Sequence, residues 1–559
     1  MKTKIYNIMR SNLINVFFII IMGTFSLGLY AQTGNHVGGN GAGSSLTTGD
    51  YNTFIGDSAG YEVTTGQYNT FMGYRAGYFW YNDNDNTIIG SNAGGGGSLS
   101  TSFGTDNVII GKEAGFTGPG TDNTFLGAKA GYSTESTGID NTFIGEEAGI
   151  NNTTGDDNVF VGEDSGYNNT TASDNTFIGS TAGRSNTTGY RNAFVGSESG
   201  YDNTTGIWNT AVGDSSLTDN GAGWGNTAIG QAAGAATEHA DFNTFVGARA
   251  GWDNNRTNST TNANRNTYVG FEAGYSNREG EDNVGMGAFA DVGNTVRYRN
   301  TFIGSSAFIN QNDITSIGYD TYSTGQYSCL VGSGADVRSQ GAIAIGYLSN
   351  ISTNSNNSIA IGRETTITNA ANSIAIGNGV AIINANEVVI GNAATSVIGG
   401  SVNWTATSDG RFKSNVEENV VGLDFINNLR PVTYQMDAEK IYTFYGMEIP
   451  EYLKPSLEEK GQIRYSGFIA QEVEQQAIAA GYNFSGVKTP QSDEDAYGLR
   501  YAEFVVPLVK STQELYDIIE AQQQTIAQYE NALNDLTARV EKMENQMDLK
   551  ANKLFANKK

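Results

Sequence analysis

The chain has 559 residues, a formal net charge of −26 at pH 7, 72 glycines, 6 prolines, one cysteine and two histidines. It is too long for one ordinary hydrophobic core, and glycine that recurs at a fixed period predicts an ordered repeat structure in place of a disordered linker. The negative charge argues against nucleic acid as a partner, and the few Cys and His residues leave no intrachain disulfide and no cofactor or metal site to expect.

The first 31 residues have the layout of a signal peptide. Lys2, Lys4 and Arg10 precede an apolar run over residues 16–29, and a small residue, Ala31, stands at the expected cleavage point. The alternative is an uncleaved membrane anchor, although the run is short for a spanning helix. In both cases we expect export, to the cell surface or into the medium, with no membrane span after signal removal.

Residues 32–303 repeat a phrase of the type Asn-Thr-Phe-Ile-Gly, with neighbouring asparagines mostly 17 residues apart. The first residues of the phrase are Asn52, Asn69, Asn86, Asn107, Asn123, Asn141, Asn158, Asn175, Asn192, Asn209, Asn226, Asn243, Asn266, Asn283 and Asn300. Such a short unit cannot bury its own Phe and Ile, but stacked units form a continuous core. We therefore predict one coil of a parallel β-solenoid per repeat, with Asn and Thr ladders along the stack, so that the many Asn-x-Thr sequons are structural.

Over residues 304–400 the unit shortens to about 14 residues and the phrase becomes Ser-Ile-Ala-Ile-Gly, as at 358–362 and 373–377. These units resemble the head repeats of trimeric autotransporter adhesins, which are parallel β-rolls packed three chains together. The resemblance implies a trimeric and adhesive head, and it is looser over the 17-residue units.

Acidic residues in the repeat loops, such as Glu146, Glu147, Asp156 and Asp157, drift in position from one unit to the next. They form no pair of the kind that carbohydrate-cleaving solenoids use, and the Gly-Gly-x-Gly-x-Asp units of calcium-binding rolls are absent. We therefore expect no enzymatic activity from the repeats.

Residues 401–504 have a different composition, rich in charged residues and helix formers. Four phrases stand out, at 407–416, 422–434, 467–473 and 501–508. In this order and spacing they resemble the peptidase S74 family, the intramolecular chaperone domain of phage endosialidase tailspikes and of myelin regulatory factor. The predicted fold class is thus mainly β, with elongated β-roll repeats followed by an α+β chaperone domain.

A serine becomes a nucleophile when a base takes its proton. Neither histidine lies in this module, so the base must be of another type, and a lysine can serve if burial or a nearby positive charge makes it neutral. Lys413 stands five residues after Ser408, with Arg411 between them. The S74 resemblance implies that Ser408 and Lys413 cut the chain at the Thr407–Ser408 bond once a trimer has assembled. The alternative is that both are ordinary surface residues near a domain boundary.

Residues 505–550 carry an apolar heptad that predicts a coiled coil. Its a positions are Val505, Thr512, Ile519, Ile526, Leu533, Val540 and Met547, and its d positions are Leu508, Leu515, Gln522, Tyr529, Leu536 and Met543. Two or three chains would satisfy this seam, and three is what the resemblance implies. Such a zipper would align long chains whose repeats are so alike that a slip in register costs little.

Together these features predict an exported, trimeric, adhesin-like surface fibre whose chaperone domain drives assembly and is released by autoproteolysis. Its partners would be two further copies of itself and a surface glycan or protein. One alternative is a phage-type tail fibre or spike that binds or cleaves glycans, against which the signal peptide argues. Another is a secreted regulator that frees an effector, for which no effector domain is evident.

Overall fold

The structure is a computed structural model that describes residues 33–96, 103–293, 296–446, 448–493 and 495–556. The predicted signal peptide over residues 1–31 lies outside the described residues. The chain divides between Val389 and Ile390 into two compact units.

The first unit is a parallel β-solenoid, which confirms the predicted fold class. Each repeat phrase forms one three-residue strand, because β-branched and aromatic residues favour extended backbone. Every strand pairs in parallel with the same strand of the next coil, so that Thr142 faces Val159 and Phe143 faces Phe160. The result is one sheet of 22 strands.

The strands of this sheet are β1 (His36–Gly38), β2 (Thr53–Ile55), β3 (Thr70–Met72), β4 (Thr87–Ile89), β5 (Val108–Ile110), β6 (Thr124–Leu126), β7 (Thr142–Ile144), β8 (Val159–Val161), β9 (Thr176–Ile178), β10 (Ala193–Val195), β11 (Thr210–Val212), β12 (Thr227–Ile229), β13 (Thr244–Val246), β14 (Thr267–Val269), β15 (Val284–Met286), β17 (Thr301–Ile303), β19 (Thr315–Ile317), β21 (Cys329–Val331), β23 (Ile343–Ile345), β25 (Ile359–Ile361), β27 (Ile374–Ile376) and β29 (Val388–Ile390).

The core of the longer coils is a stack of phenylalanines from the middle strand position. Phe143 and Phe160 are buried, and their ring centroids lie 4.8 Å apart with the planes 6° from parallel. The glycine that follows each strand allows the backbones of neighbouring coils to lie this close together. A Cβ on Gly162 would lie 2.3 Å from the carbonyl oxygen of Gly179 in the next coil, and its φ of +136° is in the range that glycine favours.

The predicted asparagine ladder is present in the core. The Asn175 Oδ1 atom accepts from the backbone N–H of Asn192 at 2.9 Å, and its Nδ2 atom donates to the Gly189 carbonyl at 2.9 Å. In turn the Asn175 backbone N–H donates to Oδ1 of Asn158 at 3.1 Å. Each asparagine therefore satisfies backbone groups that the turn before the strand would leave unpaired.

A second ladder, which the sequence analysis did not separate from the first, runs through the loop side of the coils. Nδ2 of Asn169 donates to Oδ1 of Asn152 at 2.8 Å, and the contact repeats at 2.8 Å from Asn186 to Asn169 and from Asn203 to Asn186. These are asparagines of Asn-x-Thr sequons, and all of them are buried. Their burial supports the structural interpretation of the sequons.

The shorter coils contain a second strand, and the first strand of this kind lies in the 17-residue coil that precedes them. A separate parallel sheet of seven strands begins near residue 291. Its strands are β16 (Asp291–Val292), β18 (Phe308–Ile309), β20 (Tyr322–Ser323), β22 (Asp336–Val337), β24 (Asn350–Ile351), β26 (Thr366–Ile367) and β28 (Ala381–Ile382). Buried side chains such as Ile351 and Ile367 enter the core from this sheet, and the opposite position shrinks from Phe to Ala, as at Ala344 and Ala360. In the shorter coils the side chain from the second sheet thus fills the space that the smaller alanine leaves, and the core stays close-packed.

The second unit is a small α+β region followed by a long helix. Its helices are α1 (Leu423–Ile426), α2 (Ala438–Phe444), α3 (Lys454–Gly461), α4 (Ala470–Ala479) and α5 (Val505–Ala556), with 3-10 turns at Gly410–Phe412, Glu451–Leu453 and Tyr501–Phe504. Two antiparallel pairs accompany them, β30 (Val432–Gln435) with β31 (Arg464–Gly467) and β32 (Val487–Lys488) with β33 (Gly498–Leu499). Phe425, Val473, Phe484 and Phe504 form its main core. Over the described residues, no helix combines the length and apolarity needed to cross a bilayer.

We expect Asn175→Ala to lower the free energy of unfolding by about 1–3 kcal/mol, since it leaves the buried backbone N–H of Asn192 without a partner. The Gly189 carbonyl keeps its hydrogen bond from Nδ2 of Asn186. Urea unfolding and hydrogen exchange of the coils around residue 175 would measure the loss. Thr171→Ala changes an exposed side chain of the same coil and is the matched control. Equal stability of the two variants would contradict the role given to the ladder.

A second expectation concerns Asp291, the first residue of the second sheet. Its Oδ1 atom accepts from the backbone N–H groups of Ser276 and Val292 at 3.0 and 2.8 Å, yet burial dominates and raises its pKa from 3.8 to about 6. The folded protein therefore keeps a proton that the unfolded chain releases. Stability should fall as the pH rises from about 4 to about 6, by roughly 3 kcal/mol from this group. Melting curves of the wild type and Asp291→Asn should diverge over that interval, and a constant difference would contradict the assignment.

Candidate functional site

The candidate site lies on a tight turn in an exposed stretch of the second unit. The Asp409 Oδ1 atom accepts from the backbone N–H of Arg411 at 2.9 Å and so caps the turn Gly410–Phe412. The backbone N–H of Lys413 then donates to the Gly410 carbonyl at 3.2 Å. Asp-Gly pairs favour such turns because the aspartate bonds to the backbone ahead of it and glycine adds no steric restriction.

This turn brings together the two residues that the sequence analysis selected. The Lys413 Nζ atom lies 2.9 Å from the Ser408 Oγ atom, with the lysine as donor. Thr407, on the other side of the predicted cleavage bond, is exposed like Ser408. The contact has the reach that a nucleophile and its base require, while their catalytic roles stay a prediction.

Arg411 does not contribute the unpaired positive charge that its position in the sequence suggests. Its guanidinium binds the Asp409 carboxylate through two nitrogens, at 2.9 and 2.5 Å. This pair lowers the pKa of Asp409 and raises the pKa of Arg411. The sequence analysis missed Asp409, although the Asp-Gly pair and an arginine two residues on were available as signals.

The apolar side chains around the site are exposed to solvent in a single chain. Val402 is 83% exposed, Trp404 85%, Phe412 74% and Val416 80%. Apolar side chains on both sides of Ser408 thus lie in solvent, and so does Lys413. Burial is what makes a lysine neutral enough to act as a base, so one chain alone does not supply the environment that the predicted chemistry needs.

The chain that follows the site is fixed to the base of the long helix. The Glu514 Oε2 atom on α5 accepts from the backbone N–H of Leu423 at 2.6 Å, at the start of α1. Beyond that point α5 is unsupported, and the residues from 515 to 554 are all exposed. Its heptad seam therefore lies open to solvent, with Ile519 49%, Leu533 63% and Leu536 54% exposed.

The solenoid carries a second open apolar surface, on the outer side of its large sheet. The third residue of each strand points away from the core and is aliphatic in coil after coil. We call this column the aliphatic stripe. Its members are Ile55, Met72, Ile89, Ile110, Leu126, Ile144, Val161, Ile178, Val195, Val212, Ile229, Val246, Val269, Met286, Ile303, Ile317, Val331, Ile345, Ile361 and Ile376. Several are clearly exposed, such as Ile178 at 40% and Ile229 at 43%.

Comparison with known proteins identifies the region around the turn. Residues 408–482 match the family of peptidase S74 domains, described as the chaperone of endosialidase. The match confirms the resemblance noted in the sequence, and it begins at Ser408 itself. No curated protein matches the chain.

Proposed function

We propose that this protein is an exported, trimeric, adhesin-like fibre whose C-terminal module aligns three chains and then releases itself by cutting the Thr407–Ser408 bond. The observation that carries the proposal is the 2.9 Å contact between Lys413 Nζ and Ser408 Oγ, at the first residue of the span that resembles endosialidase chaperones. The solenoid would be the lasting fibre, and residues 408–559 would be the departing chaperone.

Two open apolar surfaces support trimer assembly. The seam of α5 is suited to a parallel coiled coil, and the aliphatic stripe is suited to packing one large sheet against those of the other copies. Monomeric proteins rarely expose a continuous apolar surface of such length. A chaperone-type domain and a β-solenoid are together typical of trimeric fibres, and both surfaces are what such a fibre would cover.

The chemistry of release follows from the position of the serine directly after the scissile carbonyl. Neutral Lys413 takes the hydroxyl proton of Ser408, and the freed Oγ atom attacks the Thr407 carbonyl carbon. The C–N bond breaks, the lysine returns the proton to the Ser408 amine, and an ester joins Thr407 to the Ser408 oxygen. Water then hydrolyses the ester to a Thr407 carboxylate and a free Ser408 side chain.

Assembly would control this reaction through burial. In one chain the site is exposed, together with Trp404 and Val416, and the lysine lacks the apolar surroundings that favour its neutral form. Packing of neighbouring copies over these side chains would supply such surroundings. Cutting would then follow assembly, and loss of the chaperone would make it irreversible.

Cleavage should depend on both members of the pair. We expect the exported wild type to give two bands on a denaturing gel, divided after Thr407, and Ser408→Ala to give one full-length band. Lys413→Arg keeps the charge but cannot become neutral, and it should slow cutting by about 10³-fold. Intact mass would locate the cut and report signal removal as well.

Ser414→Ala is the matched control, because this serine is exposed and lies next to Lys413. It should cut at the wild-type rate. Two bands from Ser408→Ala would rule out the pair as the catalyst, and a stable wild-type monomer would rule out the trimer.

The aliphatic stripe should be required for a stable trimer. We expect Ile345→Glu combined with Ile361→Glu to abolish the trimer mass seen by light scattering. Each isoleucine removed would cost about 1.5–3 kcal/mol of the free energy of apolar burial, and the new carboxylates would be buried in the interface between copies. Thr353→Glu with Thr368→Glu adds the same charge to exposed loop positions of the same two coils and should leave the trimer intact. A trimer that survives the isoleucine changes would contradict this interface.

A further inference from the structure

One edge of the solenoid carries a run of aromatic residues that the fold does not require. The two residues before the ladder asparagine form a ridge along the coils. In most coils they are polar, for example Asp174, Asn264 and Asp282. The same position occurs once in every coil, and the solenoid forms with polar residues at most of these occurrences. The fold therefore needs no aromatic residue there.

In four successive coils the ridge is aromatic instead. The surface formed by Tyr190, Ile207, Trp208, Trp224 and Phe242 is called the aromatic shelf below. Trp208 is 47% exposed, Trp224 36% and Phe242 50%. At a spacing of about 4.8 Å per strand the shelf is about 15 Å long.

The aromatic residues occupy a backbone conformation that suits them poorly. Trp208 and Phe242 both have φ of +58°, a region in which Asn, Asp and Gly are favoured and bulky residues are uncommon. The same position holds Asn357 and Asn372 in later coils. Asp106, Asp122 and Tyr68 adopt the same conformation, so the coil imposes it, and the bulky residues of the shelf are accommodated there in spite of it.

The rings of the shelf present part of their faces to solvent. Trp208 and Trp224 are tilted by 46° with centroids 5.8 Å apart, and Trp224 and Phe242 are tilted by 55° at 4.7 Å. By contrast, Tyr51 and Tyr68 at the same ridge position stack within 5° of parallel, so that each ring covers one face of the other while both side chains stay exposed. The backbone of the shelf is also tied to the next coil, because the backbone N–H of Trp224 donates to Oδ1 of Asp241 at 3.0 Å.

We expect the ridge to stay in solvent when copies assemble. Directly before the shelf the same position is an aspartate in six successive coils, at Asp85, Asp106, Asp122, Asp140, Asp157 and Asp174. Burial, and then repulsion from its neighbours Asp122 and Asp157, raises the pKa of Asp140. A column of like charges is costly to bury against another copy, so the ridge that continues it remains free to bind a ligand.

We propose that the aromatic shelf binds a neutral polysaccharide chain. The negative faces of aromatic rings attract the weakly positive C–H groups of a sugar ring. The aspartate column and the net charge of −26 disfavour anionic glycans. The shelf is far smaller than the roughly 800 Å² per partner of a stable protein interface, whereas its narrow, extended form fits a chain ligand.

Polar groups at the rim complete the match to a sugar. Arg191 and Arg265 border the shelf at its two ends, paired with Asp174 at 3.4 Å and with Asp282 at 2.6 Å. Asp241 lies next to Trp224 and accepts from its backbone N–H. These side chains can donate to and accept from hydroxyl groups without presenting unpaired charge. The inference extends the proposed adhesive role and is independent of self-cleavage.

The test is binding of the full exported protein to immobilised dextran, mannan, xylan and β-glucan, with alginate and polysialic acid as anionic probes. We expect at least one neutral polysaccharide to bind and to change the tryptophan fluorescence. Trp208→Asn with Phe242→Asn should weaken binding about tenfold or more. Asparagine suits the left-handed backbone, so the variant should melt no lower than the wild type.

Tyr51→Asn with Tyr68→Asn is the matched control, since it alters exposed aromatics at the same ridge position and should bind as the wild type does. The inference would be overturned if no neutral polysaccharide binds, or if only the anionic probes bind. It would also be overturned if the shelf variant binds as tightly as the wild type. A shelf that instead captures only a protein ligand would also overturn it. Two gel bands and trimer mass in every variant would show that such a failure leaves the proposed assembly and cleavage untouched.

Discussion

The solenoid depends on one constraint, the satisfaction of buried backbone groups by the neighbouring coil. A coil of 14 to 17 residues has one or two short strands, and its tight turns leave N–H and C=O groups pointing into the core. The Asn175 side chain pairs two such groups in the turn of the next coil, the Gly189 carbonyl and the Asn192 N–H. The hydrogen-bond partners of each coil come from its neighbours, so the coils stabilise one another. A single coil lacks these partners and has no independent stability.

The same constraint creates the need for a chaperone. Adjacent coils offer almost identical ladders, so the energy of packing two chains changes little when one slips by a coil. Register must then be set by a part of the chain that is not repetitive. In the proposed trimer the long helix α5 would meet this requirement, since its seam mixes Thr512, Gln522 and Tyr529 with aliphatic residues and would therefore distinguish one alignment from another.

Much of this organisation can be predicted from the sequence because it is periodic. Regular asparagines and the recurring Phe-Ile-Gly phrase specify the parallel stack, and phrases such as those around Ser408 and Gly467 identify the C-terminal module. The prediction that Phe and Ile both enter the core was wrong for Ile, because Phe143 is buried whereas the third strand residue, Ile144, points outward. The second sheet was not predicted, because strands of two residues such as Asp291–Val292 leave no alternation to detect. The ladder that contains Asn152 was not predicted, because its asparagines are part of Asn-x-Thr sequons. The pairing of Arg411 with Asp409 was not predicted either, because the spacing of residues does not define how a turn directs their side chains.

The direction of the hydrogen bonds in the solenoid has a mechanical consequence. The strands lie across the axis of the stack, so their hydrogen bonds, from Thr142 to Asn158 for example, run along it. A pull along that axis loads the coils in series and opens bonds one coil at a time, in the manner of a zipper. A fibre built this way would yield by lengthening, and the yielding would limit the force that its attachment points bear.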